Sequence, residues 1–188
     1  MSAVKGTVSA LLLVDIQNDY FPGGRMELEG SVEAGGKAAE VLSAFRGSGW
    51  PVVHVRHESV KPGAAFFLPG TAGAEIHDGV RPLPGEVVAT KHFPNSFRET
   101  GLKDRLDSLA VGRLVIAGMM THMCVDATTR AAFDLGFECT VLSDACATRD
   151  LIFEGRCVAA VDVQAAFLAA LGSAYAHVVT SARGVPGA

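Results

Sequence analysis

Two patterns of apolar residues alternate along the chain. Short continuous runs such as Ala10-Leu11-Leu12-Leu13-Val14 have the signature of strands buried on both faces. Longer segments follow in which apolar residues recur at helical spacing. The first run ends in Asp15-Ile16-Gln17-Asn18-Asp19-Tyr20, and Phe21-Pro22-Gly23-Gly24 then breaks regular structure. Further strands are predicted over 51–56, 86–90, 113–117, 138–142 and 176–180. Helices are predicted over 32–45, 102–109, 126–135 and about 154–171. Polar residues follow most strands: His57-Glu58-Ser59 the second, Lys91 the third, Ser143-Asp144 the fifth. The segment 60–84 is rich in Gly and Pro, the kind of long loop that serves as a lid or pocket wall. A second loop spans 92–98.

Strands alternating with helices imply an α/β chain, a three-layer α/β/α sandwich around a mostly parallel, about six-stranded, Rossmann-like sheet. No repeat, linker or low-complexity segment interrupts it, so a single domain over 1–188 is expected. Such sheets bind ligands outside the carboxyl ends of their strands. Asp15, Lys91 and Cys124 each lie just past a different predicted strand, so the fold should gather them at one edge.

Charge and composition narrow the partners. The net charge is −4 and no basic cluster occurs, which speaks against nucleic acid and anionic membranes. No apolar run approaches the length of a membrane span. The N-terminal residues lack the pattern of a signal peptide, so a cytoplasmic location is expected. The four cysteines, Cys124, Cys139, Cys146 and Cys157, show no CxxC spacing, which excludes a zinc ribbon or a thioredoxin-like motif. Four free thiols are expected, with Cys139 and Cys157 in the core and Cys146 unassigned. No Gly-x-Gly-x-x-Gly follows the first strand, so a dinucleotide site is set aside.

Candidate chemistry centres on Gly118-Met119-Met120-Thr121-His122-Met123-Cys124-Val125, between the fourth strand and a helix. That reading puts Cys124 in the first turn of the helix, where a thiol ionises more easily and an oxyanion meets aligned N–H donors. Taken singly, Cys124 reads as a buried apolar residue, Asp15 as a turn cap and Lys91 as a solvated lysine. Together a thiol, a carboxylate and an ammonium form a nucleophile system in which Asp15 takes the thiol proton and Lys91 favours the thiolate.

These residues and the segment Asp15-Ile16-Gln17-Asn18-Asp19 resemble the isochorismatase-like cysteine hydrolases, a family that includes nicotinamidases, N-carbamoylsarcosine amidohydrolase and isochorismatases. The resemblance covers nearly the whole chain. It implies a Cys–Asp–Lys triad on Cys124, Asp15 and Lys91, and a cis peptide at Met119–Met120. It further implies an oxyanion hole from the backbone N–H groups of Met120 and Cys124, with Gln17 and Thr121 at supporting positions. The implied activity is hydrolysis of a C–N bond in a small amide, lactam or carbamoyl substrate through a thioester. Vinyl ether hydrolysis of the isochorismatase type and an idle binding or scaffold role are the alternatives. A homo-oligomer, a dimer or tetramer, is implied by the same resemblance.

One departure concerns metal. Nicotinamidases bind a metal after the second strand, where this chain has His54-Val55-Arg56-His57-Glu58. Residues three apart on a strand face opposite sides, so His54 and His57 do not share an ion, and Arg56 would repel one. No metal or cofactor is expected. His54 reads as a satisfied core residue, whereas His57 and Glu58 border the pocket. Tyr20, Phe66, Phe67, Phe93 and Phe97 are candidates for an aromatic pocket lining, each equally readable as a core plug. Asp19 and Asp144 read as turn and helix caps.

Overall fold

The computed structural model describes residues 6–184. In chain order the regular elements are β1 (Val8–Val14), α1 (Ser31–Gly47), β2 (Val52–His57), β3 (Val87–Lys91), α2 (Leu102–Ser108), β4 (Val111–Met119) and α3 (Asp126–Asp134). They continue with β5 (Glu138–Ala147), β6 (Leu151–Phe153), β7 (Arg156–Val158), α4 (Ala160–Ala174), β8 (His177–Val179) and α5 (Ser181–Gly184). Six strands form one sheet in the order β3-β2-β1-β4-β5-β8, every pair parallel.

The apolar run of β1 explains its central position, because a strand buried on both faces must have a strand on each side and a layer above and below. Alternate residues serve opposite layers. Leu11 and Leu13 pack with Ala34, Ala38, Val41, Leu42 and Phe45 of α1. Ala10, Leu12 and Val14 pack in a second core with Leu102 and Leu106 of α2, Ala132 of α3 and Leu171 of α4. The expected α/β/α sandwich is therefore the observed one. Among the described residues, no helix is long and apolar enough to cross a membrane.

Two stretches differ from the sequence reading. Strand β5 does not stop at Leu142 but continues through Ser143-Asp144 to Ala147, with a register irregularity against β4 between Ile116 and Gly118. The helix predicted from about 154 begins only at Ala160. Before it, β6 and β7 form an antiparallel hairpin. Glu154 and Gly155 at its tip have φ of 49° and 76°, the backbone of a tight two-residue hairpin turn. Cys157, read as a core residue of a helix, is consequently exposed on β7. Cys139 and Cys146 are buried in β5. Asp144 accepts hydrogen bonds from the Ser181 N–H (2.7 Å) and hydroxyl (2.8 Å) at the start of α5, in the capping role expected of it. Asp19 accepts from the N–H groups of Arg25 and Phe67 and pins two loops together.

Candidate active site

Three strand ends supply the polar residues of the site. Asp15 is the first residue past β1. Its N–H still bonds to Val55 of β2 (3.0 Å), but its φ is 51°, a left-handed conformation that Asp tolerates better than most residues. Lys91 is the last residue of β3, in register with His57 at the end of β2. Cys124 follows β4 through a cis peptide at Met119–Met120 and a π-helical turn, Thr121–Val125, in which Met123 and Val125 donate to the Met120 carbonyl. The nucleophile candidate thus precedes α3 rather than occupying its first turn. Gly118 lets β4 reach this point, since a Cβ there would stand 2.0 Å from the Val14 carbonyl oxygen. The Thr121 hydroxyl donates to the Ala147 carbonyl (3.2 Å) and ties the turn to the end of β5.

The side chains of Asp15, Lys91 and Cys124 are 0%, 1% and 5% exposed as residues. The Lys91 ammonium stands at the middle of the group. Its Nζ donates to Asp15 Oδ2 (2.6 Å), His57 Nδ1 (3.1 Å) and Cys124 Sγ (3.2 Å). Three acceptors match the three hydrogens of an ammonium. Asp15 Oδ1 is buried and has no hydrogen-bond partner among the described residues. It is an acceptor left open beside the thiol. Ligand atoms of Asp15, His57 and Cys124 lie within 4.8 Å of one another, a donor set that would suit a metal. The same three groups already hold the Lys91 charge, and a divalent cation among them would meet that charge at contact distance.

Electrostatics set the resting protonation. Burial works against the charge of Lys91, but the negative charges of Asp15 and of Cys124 when ionised outweigh it and raise the lysine pKa. Burial, followed by the Lys91 charge, lowers His57 to about 4, so the imidazole is neutral and Nδ1 is free to accept. The Cys124 thiol is displaced upwards, first by burial and then by the charge of Asp15, with Lys91 opposing. The easier ionisation expected at a helix N-terminus is therefore reversed at rest: the sulfur is a thiol beside a preformed carboxylate–ammonium pair. Burial also raises Tyr20 well above its ordinary value.

The remaining sequence candidates divide. Gln17 is fully buried; its Nε2 donates to the carbonyls of His57 (2.9 Å) and Ala74 (2.7 Å), and its Oε1 accepts from the His57 N–H (2.8 Å). Tyr20 packs on Phe67 (ring centroids 4.6 Å apart) and Phe66 (5.9 Å), and Phe67 in turn lies 6.0 Å from the His57 ring. The segment 60–84 supplies these phenylalanines and is bonded to the chain after β1 at Asn18–Glu75 and Ile16–His77, so it forms a wall of the site. Two candidates have other partners. Glu58 pairs with Arg56 (3.2 Å), and its N–H donates to the Lys91 carbonyl (2.9 Å). Phe97 stacks on Phe137, which immediately precedes β5 at the opposite edge of the sheet, and is a core plug. Phe93 carries the Arg98 guanidinium 3.6 Å over its ring. Arg149, just past β5, was not singled out from the sequence; its charge reaches both Tyr20 and His122.

Comparison with known proteins identifies the family. The family model for the Isochorismatase domain matches residues 9–183. An isochorismatase family protein of Bacillus subtilis, YddQ, is 50% identical over 173 residues, covering 92% of this chain and 96% of its own. A solved structure from Oleispira antarctica, assigned to the isochorismatase hydrolases, is 51% identical with a TM-score of 0.92 and full coverage of both chains. The N-carbamoylsarcosine amidase of Thermoplasma acidophilum is 27% identical with a TM-score of 0.79, covering 93% of this chain and 97% of its own. The chain belongs to the isochorismatase family. It is a hydrolase of that family.

Proposed function

We propose that the protein is a cysteine-dependent hydrolase that cleaves a C–N bond of a small amide, lactam or carbamoyl substrate. The observation that carries this reading is the Lys91 ammonium hydrogen-bonded at once to the Asp15 carboxylate and the Cys124 sulfur, with Asp15 Oδ1 unpartnered beside them. The likeness to an amidase in fold and sequence supports the choice of bond.

At rest the sulfur holds its proton. When a substrate carbonyl docks, Asp15 accepts that proton and the thiolate attacks the carbonyl carbon, with Lys91 stabilising the sulfur charge. The carbonyl π electrons move to oxygen, which the N–H groups of Met120 and Cys124 receive. Collapse of the tetrahedral adduct breaks the C–N bond, and protonated Asp15 gives its proton to the leaving nitrogen. Asp15 then takes a proton from water as its oxygen attacks the thioester; collapse breaks the C–S bond, and Asp15 returns the proton to the departing sulfur, which releases the acid and restores the thiol. Phe66, half-buried against the fully buried Tyr20 and Phe67, suits the apolar part of a small substrate.

The test is release of ammonia or amine from a panel of small amides, lactams and carbamoyl compounds by wild type and Cys124→Ala. Release that disappears in the variant supports the mechanism. A fully active Cys124→Ala would overturn it. Turnover only of vinyl ethers would shift the reading to the isochorismatase reaction, and no turnover of any compound would favour a binding role.

A further inference from the structure

The triad uses two of the three hydrogen bonds that Lys91 donates. The third goes to His57 Nδ1 at 3.1 Å. His57 reaches this position because β2 and β3 pair in parallel with His57 opposite Lys91, so both residues arrive at the same edge of the sheet. Its backbone is clamped on both sides by the amide of Gln17, which bonds its carbonyl at 2.9 Å and its N–H at 2.8 Å. Gln17 is itself fully buried two residues after Asp15. Asp15, Gln17, His57 and Lys91 therefore form one connected unit.

We propose that His57 is a positioning residue: as the uncharged third acceptor of the Lys91 ammonium, it holds that charge between Asp15 and Cys124, with Gln17 holding His57 in turn. An ammonium on a flexible stem with only two acceptors would leave one N–H unpaired in a buried site and swing away from the sulfur to satisfy it. A third acceptor that bore a charge would be worse, because an anion would compete with Cys124 and a cation would repel Lys91. A neutral imidazole accepts without competing. The titratable and charged groups facing His57 are Lys91 on β3, Asp15 past β1, Cys124 in the π-helical turn, His92 past β3 and Lys61 in the 60–84 segment. A neutral ring that accepts at Nδ1 carries its proton on Nε2, which fixes the tautomer.

The inference rests on the cysteine-hydrolase reading, but its test has substrate-free arms. Two variants are compared with the full-length wild type. His57→Leu removes the acceptor, and His57→Asn keeps a carbonyl oxygen near the Nδ1 position. In the ¹⁵N spectrum of labelled wild type, the His57 ring should show the Nε2–H tautomer at neutral pH. Iodoacetamide labelling, followed by mass spectrometry on the Cys124 peptide, should slow by about tenfold in His57→Leu and stay within about threefold of wild type in His57→Asn. On an active substrate, kcat should follow the same pattern while KM stays within about twofold. An Nδ1–H tautomer in the wild type would overturn the proposal. So would wild-type labelling and kcat in a folded His57→Leu, or equal defects in both variants carried by KM. Should His57→Leu not fold, the tautomer and His57→Asn decide between these outcomes. Hydrolysis by wild type with unchanged labelling in His57→Leu defeats this proposal alone, whereas the expected labelling and tautomer without hydrolysis of any amide, lactam or carbamoyl compound defeat the C–N bond reading alone.

Discussion

Strand β2 carries two histidines three residues apart, and they point into different chemistry. His54 is fully buried and its Nε2 lies 2.9 Å from Glu86 Oε2. Glu86 is also gripped by Arg46, through Nε and Nη2 at 2.7 Å each, and by the Leu83 N–H. That cluster joins α1, β2 and the turn before β3. Every charge in it has an opposite partner, and the Arg46 hydrogen bond chiefly holds the Glu86 pKa down at about 2. His57, on the other face at the carboxyl end, meets an ammonium instead of a carboxylate, and its neighbour Asp15 keeps one oxygen unpaired. The first cluster pairs every charge and fastens the fold, and the atom it leaves open among the described residues, His54 Nδ1, is a neutral ring nitrogen. In the second the open atom is a carboxylate oxygen, where the proposed reaction needs to place a proton. The residue type did not decide between these roles; the partners at each end of the sheet did.

The largest effect separating the two clusters should appear in turnover. Cys124→Ala and Asp15→Asn are each expected to lower kcat by about 10³-fold or more, with thermal stability close to wild type for the cysteine variant. Lys91→Met should be as inactive and also less stable, since it strands the buried Asp15 charge without its partner. Activity assays paired with thermal melts check this. Wild-type turnover in Asp15→Asn would show that the open oxygen has no part in proton transfer.

The reverse experiment perturbs the charge-paired cluster. Glu86→Ala removes the shared acceptor of Arg46 and His54 and leaves a buried imidazole nitrogen unpaired, at a cost of about 2–4 kcal/mol in folding stability. Because the cluster lies away from Cys124, kcat at a temperature where the variant is folded should stay within about twofold of wild type. Urea unfolding gives the first quantity, initial rates the second. A large loss of kcat in fully folded Glu86→Ala would show that the two ends of β2 are coupled, and the division drawn here would fail.

That division was only half legible in the sequence. Asp15, Lys91 and Cys124 could be placed because a parallel sheet sends every strand end to one edge, a rule that needs no knowledge of register. The role of His57 depends on which residue of β3 lies beside it, and no local pattern in His54-Val55-Arg56-His57 encodes that pairing. The stacking of Phe97 on Phe137 is settled by tertiary packing in the same way, whereas the Glu58–Arg56 pair is local, two residues apart in the chain. The helix predicted from about 154 was a different kind of error. Arg156-Cys157-Val158 fits the start of a helical run if Gly155 is tolerated, whereas the turn at Glu154-Gly155 folds it back on Leu151-Ile152-Phe153 as a hairpin with Ile152 and Phe153 exposed.

The smallest effect, and the finest separation of the clusters, lies in the pH dependence of stability. Burial and the Lys91 charge keep folded His57 neutral down to about pH 4, while the unfolded ring protonates near 6.5. Between those values the unfolded chain binds the extra proton, so stability falls as pH falls through this window. Glu86 is ionised in the fold down to about pH 2 against 4.5 when unfolded, so its contribution is fully present above 4.5 and is lost as pH falls towards 2. Both slopes have the same sign but occupy different windows. His54 is also displaced downwards by burial and shares the upper one. Urea unfolding at pH 7, 5 and 3 should therefore show His57→Asn losing about 1–2 kcal/mol less than wild type between pH 7 and 5. Glu86→Gln, which removes the carboxylate that raises His54, should lose at least as much as wild type in that interval and less than it between pH 5 and 3. Should His57→Asn keep the full upper slope, neither burial nor Lys91 would be holding folded His57 neutral, and the slope would belong to His54.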